Sequence, residues 1–282
     1  MLENRVGIAI PSFNSGTFVV EAAHSARECL GGTTSVVIVD DGSTERRSLA
    51  ALDELREEGF TVHRQANSGV GTARNRGLAA LATPYAFALD SDDLIEPTAA
   101  SIAADVLDAR PDVVIVAGSG INFTGSSPEQ ASGPISPGQL TRHDMWRSNQ
   151  IATASAFRLK DWAECGGFPE GVAIGEDWVF WLRLLRSGGS IATSDHVFLR
   201  HRVHERQMTQ RSIDPRESAK AANLVLRENR DLALTQPDEL IDELCRSRET
   251  LAAYRHAYRL PDRAKMLARE LGRLASRSRA GS

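Results

Sequence analysis

Residues 85–97 read YAFALDSDDLIEP, an apolar run that ends abruptly in three carboxylates, Asp90, Asp92 and Asp93. Three acids within four residues repel one another: a pair about 4 Å apart costs roughly 4 kcal/mol at an effective dielectric of about 20. Unless the acids splay into water, a proton or a cation must relieve that repulsion. Hard oxygen ligands at the mouth of a strand suit Mg²⁺ or Mn²⁺, usually shared with a diphosphate. The same residue types also make a solvated acidic turn, with Pro97 opening the next helix where its missing N–H costs nothing. On this stretch alone the two readings stand side by side.

Other stretches carry chemistry of their own. Asp40, Asp41, Gly42 and Ser43 form a tight turn able to cap a helix, and one of the two acids could accept an N–H from a planar base. Asn67-Ser-Gly-Val-Gly-Thr-Ala-Arg74 joins a flexible loop to a helix start, where backbone amides and Arg74 suit a diphosphate. Glu176 and Asp177 precede a segment whose Trp178, Trp181, Leu182 and Leu185 follow the spacing of a buried helix face. The two acids either complement a helix dipole or present a rigidly held general base. His204 could add a nitrogen ligand to the cation, although His201 lies only three residues away.

The elements that must position these residues alternate. Strand-like runs at 6–10, 35–39, 60–64, 85–89 and 113–116 are separated by helix-like stretches at 17–30, 45–58, 72–81 and 97–109. In the second of these helices Leu49, Leu52 and Leu55 recur at three-residue steps, as on a half-buried face. Such alternation predicts an α/β fold with a largely parallel sheet and helices on both faces. Ligands then bind beyond the carboxyl ends of the strands, where PSFN (11–14), DDGS (40–43), NSGVG (67–71) and DSDD (90–93) all fall. The region 118–138 is rich in Gly, Ser and Pro and reads as an exposed connection. A strand over 150–157, a helix over 158–165 and two β-like pieces at 190–194 and 197–203 are expected beyond it. From Pro215 onward the chain turns helical, and 255–282 holds eight basic residues against Asp262 and Glu270. That basic helix could lie on an anionic membrane surface or be a solvated face.

Bulk composition narrows the classes. The formal net charge of −4 speaks against nucleic acid as the main partner. Three scattered cysteines, Cys29, Cys165 and Cys245, give neither a disulfide framework nor a zinc spacing, as expected of a reducing compartment such as the cytoplasm. No stretch approaches the roughly 20 apolar residues that cross a bilayer. The glycine-rich loop does not follow the first strand as GxGxxG, which disfavours a dinucleotide dehydrogenase.

Together, PSFN at 11–14, DDGS at 40–43, NSGVGTARNRG at 67–77, LDSDD at 89–93 and the GGF…GED run at 166–177 resemble glycosyltransferase family 2. The resemblance spans roughly residues 6–208 and implies a GT-A fold, a domain over 1–210 and a helical appendage over 211–282. It implies an inverting transferase that moves one sugar from a nucleotide-sugar donor, most simply UDP-linked, to a saccharide, lipid-linked or other hydroxyl acceptor. By that likeness Pro11 and Phe13 line the nucleoside pocket, Asp41 accepts the base N–H, and Asn67 and Arg74 help hold the nucleotide. Asp90 lies near the ribose with Asp93 close by, Asp92 and His204 bind Mg²⁺ or Mn²⁺, and Asp177 is the base with Glu176 beside it. The QxxRW signature of processive synthases is missing, which implies one transfer per encounter. A nucleotidyltransferase would want a basic glycine-rich signature after the first strand, and a non-catalytic nucleotide-sugar-binding module would keep the binding acids without turnover.

Overall fold

The computed structural model describes residues 5–124, 136–204 and 215–235. Strand and helix alternate through the first half: β1 (Val6–Ser12), α1 (Phe18–Cys29), β2 (Val36–Asp40), α2 (Arg46–Glu57), β3 (Thr61–Arg64), α3 (Val70–Ala79), β4 (Tyr85–Ala88), β5 (Leu94–Ile95) and α4 (Ala99–Ala109). The second half adds β6 (Val113–Thr124), α5 (Arg142–Arg147), β7 (Ala156–Arg158), α6 (Leu159–Cys165), α7 (Glu176–Leu185), β8 (Ser190–Val203), α8 (Pro215–Glu228) and α9 (Arg230–Thr235).

The strands form one sheet in the order β3-β2-β1-β4-β7-β6-β8-β5. β3, β2, β1 and β4 are parallel neighbours, as are β6 and β8. β7 runs against both β4 and β6, and β5 against β8, so the sheet is mixed rather than uniformly parallel. The connections leave β1 toward β2 on one side while β4 returns on the other. This is a switch point, where the loops after adjacent strands splay apart and open a crevice.

Alternation along the strands loads both faces. Ile8, Ile10, Ile38 and Phe87 pack on one side against apolar residues of α1, α2 and α4. Val37 and Val39 face the other side, against Ala73 of α3. On α2 the buried face is Ser48, Ala51, Leu52 and Leu55, with Leu49 only partly covered. A strict three-residue step drifts off the face of a 3.6-residue helix, and Ser48 is inside because its hydroxyl accepts the Gly16 N–H at 2.9 Å.

The expected exposed connection over 118–138 begins later than its composition suggests. β6 runs on to Thr124 and pairs with β8 throughout, while residues 125–135 lie outside the described set. Gly118 marks a close approach: a Cβ there would stand 2.1 Å from the Phe198 ring. Gly118→Ala is expected to lower stability by about 1–3 kcal/mol, the usual cost of overpacking, read from a denaturant midpoint that falls at constant slope. The strand expected over 150–157 contracts to three residues of β7. The two β-like pieces are one strand, β8, in which a register shift opposite residues 117–119 absorbs the break between them.

The chain divides into two compact units, Met1–Arg230 and Asp231–Ser282. α8 belongs to the first and is tied to α7 by a forked pair, Arg183 to Glu228 at 2.7 and 2.8 Å. Of the second unit only 231–235 are described, so the basic run at 255–282 lies outside the described residues. No helix among the described residues is long and apolar enough to cross a membrane.

Candidate active site

The loops after β1 and β2 are locked together. Asn14, in a left-handed conformation (φ 52°), accepts the N–H groups of Thr44 and Glu45 at the start of α2. Its own N–H donates to Ser43 Oγ at 2.9 Å. Asp40 is fully buried and accepts the Ser43 N–H, so its role is to shape the turn. Asp41 accepts the N–H groups of Ser68 (2.8 Å) and Gly69 (2.9 Å) and the side-chain amide of Gln65 (2.8 Å). Its carboxylate therefore fastens the loop that leads into α3, with room for one further acceptor contact on Oδ2.

Close packing holds α3 against β1 and the 168–169 segment. A Cβ at Gly71 would lie 2.4 Å from the Pro169 carbonyl oxygen, and one at Gly77 would lie 2.9 Å from Ala9 Cβ. Asn75 ties the helix to the 162–168 segment through bonds to Phe168 N and O and to the Trp162 indole. Arg74 is consequently only 3% exposed. Its Nη2 donates to Asp90 Oδ1 and its Nη1 to Glu176 Oε1, bridging the acid loop to the start of α7. Burial opposes its charge, but Asp90, Glu176 and Asp177 together hold the guanidinium firmly protonated.

Acids and histidines then pair off. Asp92 Oδ2 lies 3.0 Å from His204 Nε2. Asp93 Oδ2 lies 3.1 Å from His201 Nδ1, and Asp93 Oδ1 accepts the Arg202 N–H at 2.8 Å. Burial pushes Asp93 up to about 6 against the opposing pull of His201, whose own pKa is raised chiefly by its hydrogen bond to Asp93. β5 makes this possible: its antiparallel pairing of Leu94 and Ile95 with Arg200 and Leu199 brings the acid loop against the end of β8.

Glu176 and Asp177 open α7, anchored by the buried Phe180, Trp181 and Leu184. Burial raises the pKa of both, and Arg74 opposes it. They are nonetheless held differently. Glu176 is buried against Arg74, whereas Asp177 is half-buried and accepts the Trp178 N–H on Oδ1 and the Asn149 amide on Oδ2, each at 2.8 Å. Pro11 is buried within β1 opposite Val39, Phe13 stands 49% exposed on the rim, and Asn67 is exposed.

The structure thus gathers Arg74, Asp90, Glu176 and Asp177 into one network, and sets Asp92 with His204 and Asp93 with His201 beside it. Among the described residues no three His, Cys, Asp or Glu side chains form a metal site from protein alone. A carboxylate and an imidazole at hydrogen-bond distance fit a cation that takes its remaining ligands from phosphate oxygens and water. Sequence reasoning passed over Gln65, Asn149 and Arg202. Arg202 sits with Arg200 and His201 in the β-like run at 197–203, and nothing in the sequence separates it from them.

Residues 7–163 match the family model described as Glycosyl transferase family 2. The chain is 28% identical over 200 residues to the chondroitin synthase of Escherichia coli, covering 65% of this chain and 27% of that protein. It is 26% identical over 191 residues to the putative teichuronic acid biosynthesis glycosyltransferase TuaG of Bacillus subtilis (strain 168), covering 65% and 73%. The chain therefore spans about a quarter of the first relative's length and about three-quarters of the second's. Its fold matches S. aureus TarS 1–349 in complex with UDP-GlcNAc at a TM-score of 0.64 and 19% identity, over 79% of this chain and 66% of that one.

Proposed function

The chain belongs to glycosyl transferase family 2, and from that premise we propose that it is an inverting glycosyltransferase moving one sugar from a UDP-linked donor to an acceptor hydroxyl. The observation that carries the reading is the Arg74 bridge, which brings the acid loop after β4 and the acids of α7 together at the carboxyl end of the sheet. The UDP-GlcNAc held by the TarS fold supports the choice of nucleotide.

Asp177 is the general base. Glu176 is buried in an ion pair with Arg74, while Asp177 is fixed by two N–H donors and still reaches the surface. It takes the proton of the acceptor hydroxyl as that oxygen attacks the anomeric carbon, and a single displacement inverts the centre. A carboxylate pushed up by burial is the better proton acceptor for this task. Arg74 acts on the donor side through Asp90, which it holds at the edge of the crevice. Asp92 and His204 would hold Mg²⁺ or Mn²⁺, which supplies charge neutralisation for the departing diphosphate. Phe13, exposed on the rim after β1, offers an apolar surface to the base, and Asp41 offers it one acceptor site.

The test is a panel of nucleotide sugars with and without Mn²⁺, read as the thermal unfolding midpoint, which rises with ligand affinity. A UDP-sugar is expected to raise the midpoint more with Mn²⁺ than without it. Asp92→Ala is expected to erase the Mn²⁺-dependent part while keeping the rest, and an unchanged metal-dependent shift in that variant would falsify the ligand assignment.

A further inference from the structure

We propose that Arg202 is a positioning residue for the cation site, holding the Asp92 backbone in register with His204 and so setting the spacing of the two donor groups. The inference rests on the metal reading above and names the residue that builds that site. Arg202 is 2% exposed, rare for a charged side chain unless every part of it is occupied. Its occupation is complete enough to explain this. The guanidinium carbon lies 4.6 Å from the Phe18 ring of α1 and 4.6 Å from the Phe123 ring of β6. Nη2 donates to Glu21 Oε2 of α1 at 2.7 Å, and Nε donates to the Asp92 carbonyl oxygen at 2.9 Å. One planar cation thereby joins α1, β6 and the acid loop.

Two residues further along, His204 reaches the carboxylate of the same aspartate at 3.0 Å. Its ring lies 5.1 Å from Phe18, the ring that also covers Arg202. Asp92 is therefore held at both ends, backbone and side chain, from one stretch of strand. The side chain at 202 has a specific part in this. The backbone N–H of residue 202 holds Asp93 whatever its side chain, so the loop stays attached in a variant. Only a guanidinium places an edge donor on the Asp92 carbonyl while its carbon lies over two aromatic rings; a lysine ammonium keeps the charge without the plane.

The experiment uses the full chain, wild type against Arg202→Met, Arg202→Lys and Glu21→Gln. Mn²⁺ affinity in the presence of UDP is read from the resonance of free Mn²⁺. UDP affinity without metal is read by calorimetry, and backbone ordering by amide hydrogen exchange over 90–93. Arg202→Met is expected to weaken Mn²⁺ binding about 10–100-fold, the usual cost of losing a group that orients a metal ligand. Metal-free UDP affinity should stay constant, exchange over 90–93 should accelerate, and Arg202→Lys should fall between. A merely structural role lowers overall stability but leaves the ratio of the two affinities alone. Wild-type Mn²⁺ affinity in a folded Arg202→Met variant overturns the proposal. Should that variant fail to fold, Glu21→Gln decides: weaker Mn²⁺ binding supports the proposal and unchanged binding overturns it. If the wild type itself shows no Mn²⁺-dependent UDP binding, the metal reading is lost and the proposal falls with it. Metal-dependent binding in the wild type that persists unchanged in Arg202→Met overturns the positioning role alone.

Discussion

Asp177→Asn is expected to lower the transfer rate by about 10²–10⁴-fold, the usual contribution of a general base, while donor affinity stays unchanged. The substitution is nearly isosteric, but it does not leave the site silent. The wild-type carboxylate accepts from Trp178 N on one oxygen and from the Asn149 amide on the other. An asparagine has a single acceptor oxygen: if it keeps the Trp178 N–H, the exposed Asn149 amide turns to water at little cost, whereas losing the part-buried Trp178 bond costs about 1–3 kcal/mol. Stability and rate therefore need separate measurement, by denaturant titration and by single-turnover transfer. The pH profile separates them further. The base works only when ionised, so wild-type turnover should fall as pH drops through the Asp177 pKa, which burial places above the ordinary value of 3.8. Asp177→Asn should lose that limb along with the rate. Wild-type turnover in the variant would place the base elsewhere.

The alternation of short apolar runs and helical stretches was legible because it is local: β1, β2 and β4 are buried on both faces and read as unbroken apolar strings. The rim loops were legible for the same reason, since acids, glycines and asparagines directly after such strings have few structural uses. What failed was whatever depends on a distant partner. Gly118 looks like loop composition until Phe198 lies over it. Ser48 joins the buried face of α2 only because Gly16 donates to it. The ownership of Asp92 by His204 and of Asp93 by His201 is decided by the register of β5 on β8, which no spacing encodes. Arg74 is the sharpest case. As a sequence it is a cation at a helix start facing phosphates; in the fold both its amino groups lie on carboxylates from elements 16 and 102 residues away.

That bridge makes Arg74→Met the substitution expected to damage stability most, by about 3–5 kcal/mol at neutral pH, because it leaves the buried Glu176, with the partly exposed Asp90 beside it, without its cation. The pH dependence gives the sign. Glu176 already has its pKa raised above 4.5 by burial, with Arg74 the main force opposing that rise. Without Arg74 the rise is larger, so the native state binds more protons than the unfolded chain over a wider interval above 4.5. Stability falls with pH wherever the native state binds the extra proton. The deficit of Arg74→Met relative to wild type should therefore be small near pH 4.5, grow as pH rises through the folded pKa of Glu176, and level off above it. Adding Glu176→Gln to the variant removes one of the stranded charges and should recover part of the loss, a coupling of about 0.5–3 kcal/mol in a double-mutant cycle. Arg74→Lys should not rescue fully, since one ammonium cannot fork between Asp90 and Glu176. Denaturant midpoints across the pH range decide the matter. A deficit that is small and flat with pH would mean that the two acids find other partners, and that the crevice is held together by something besides this arginine.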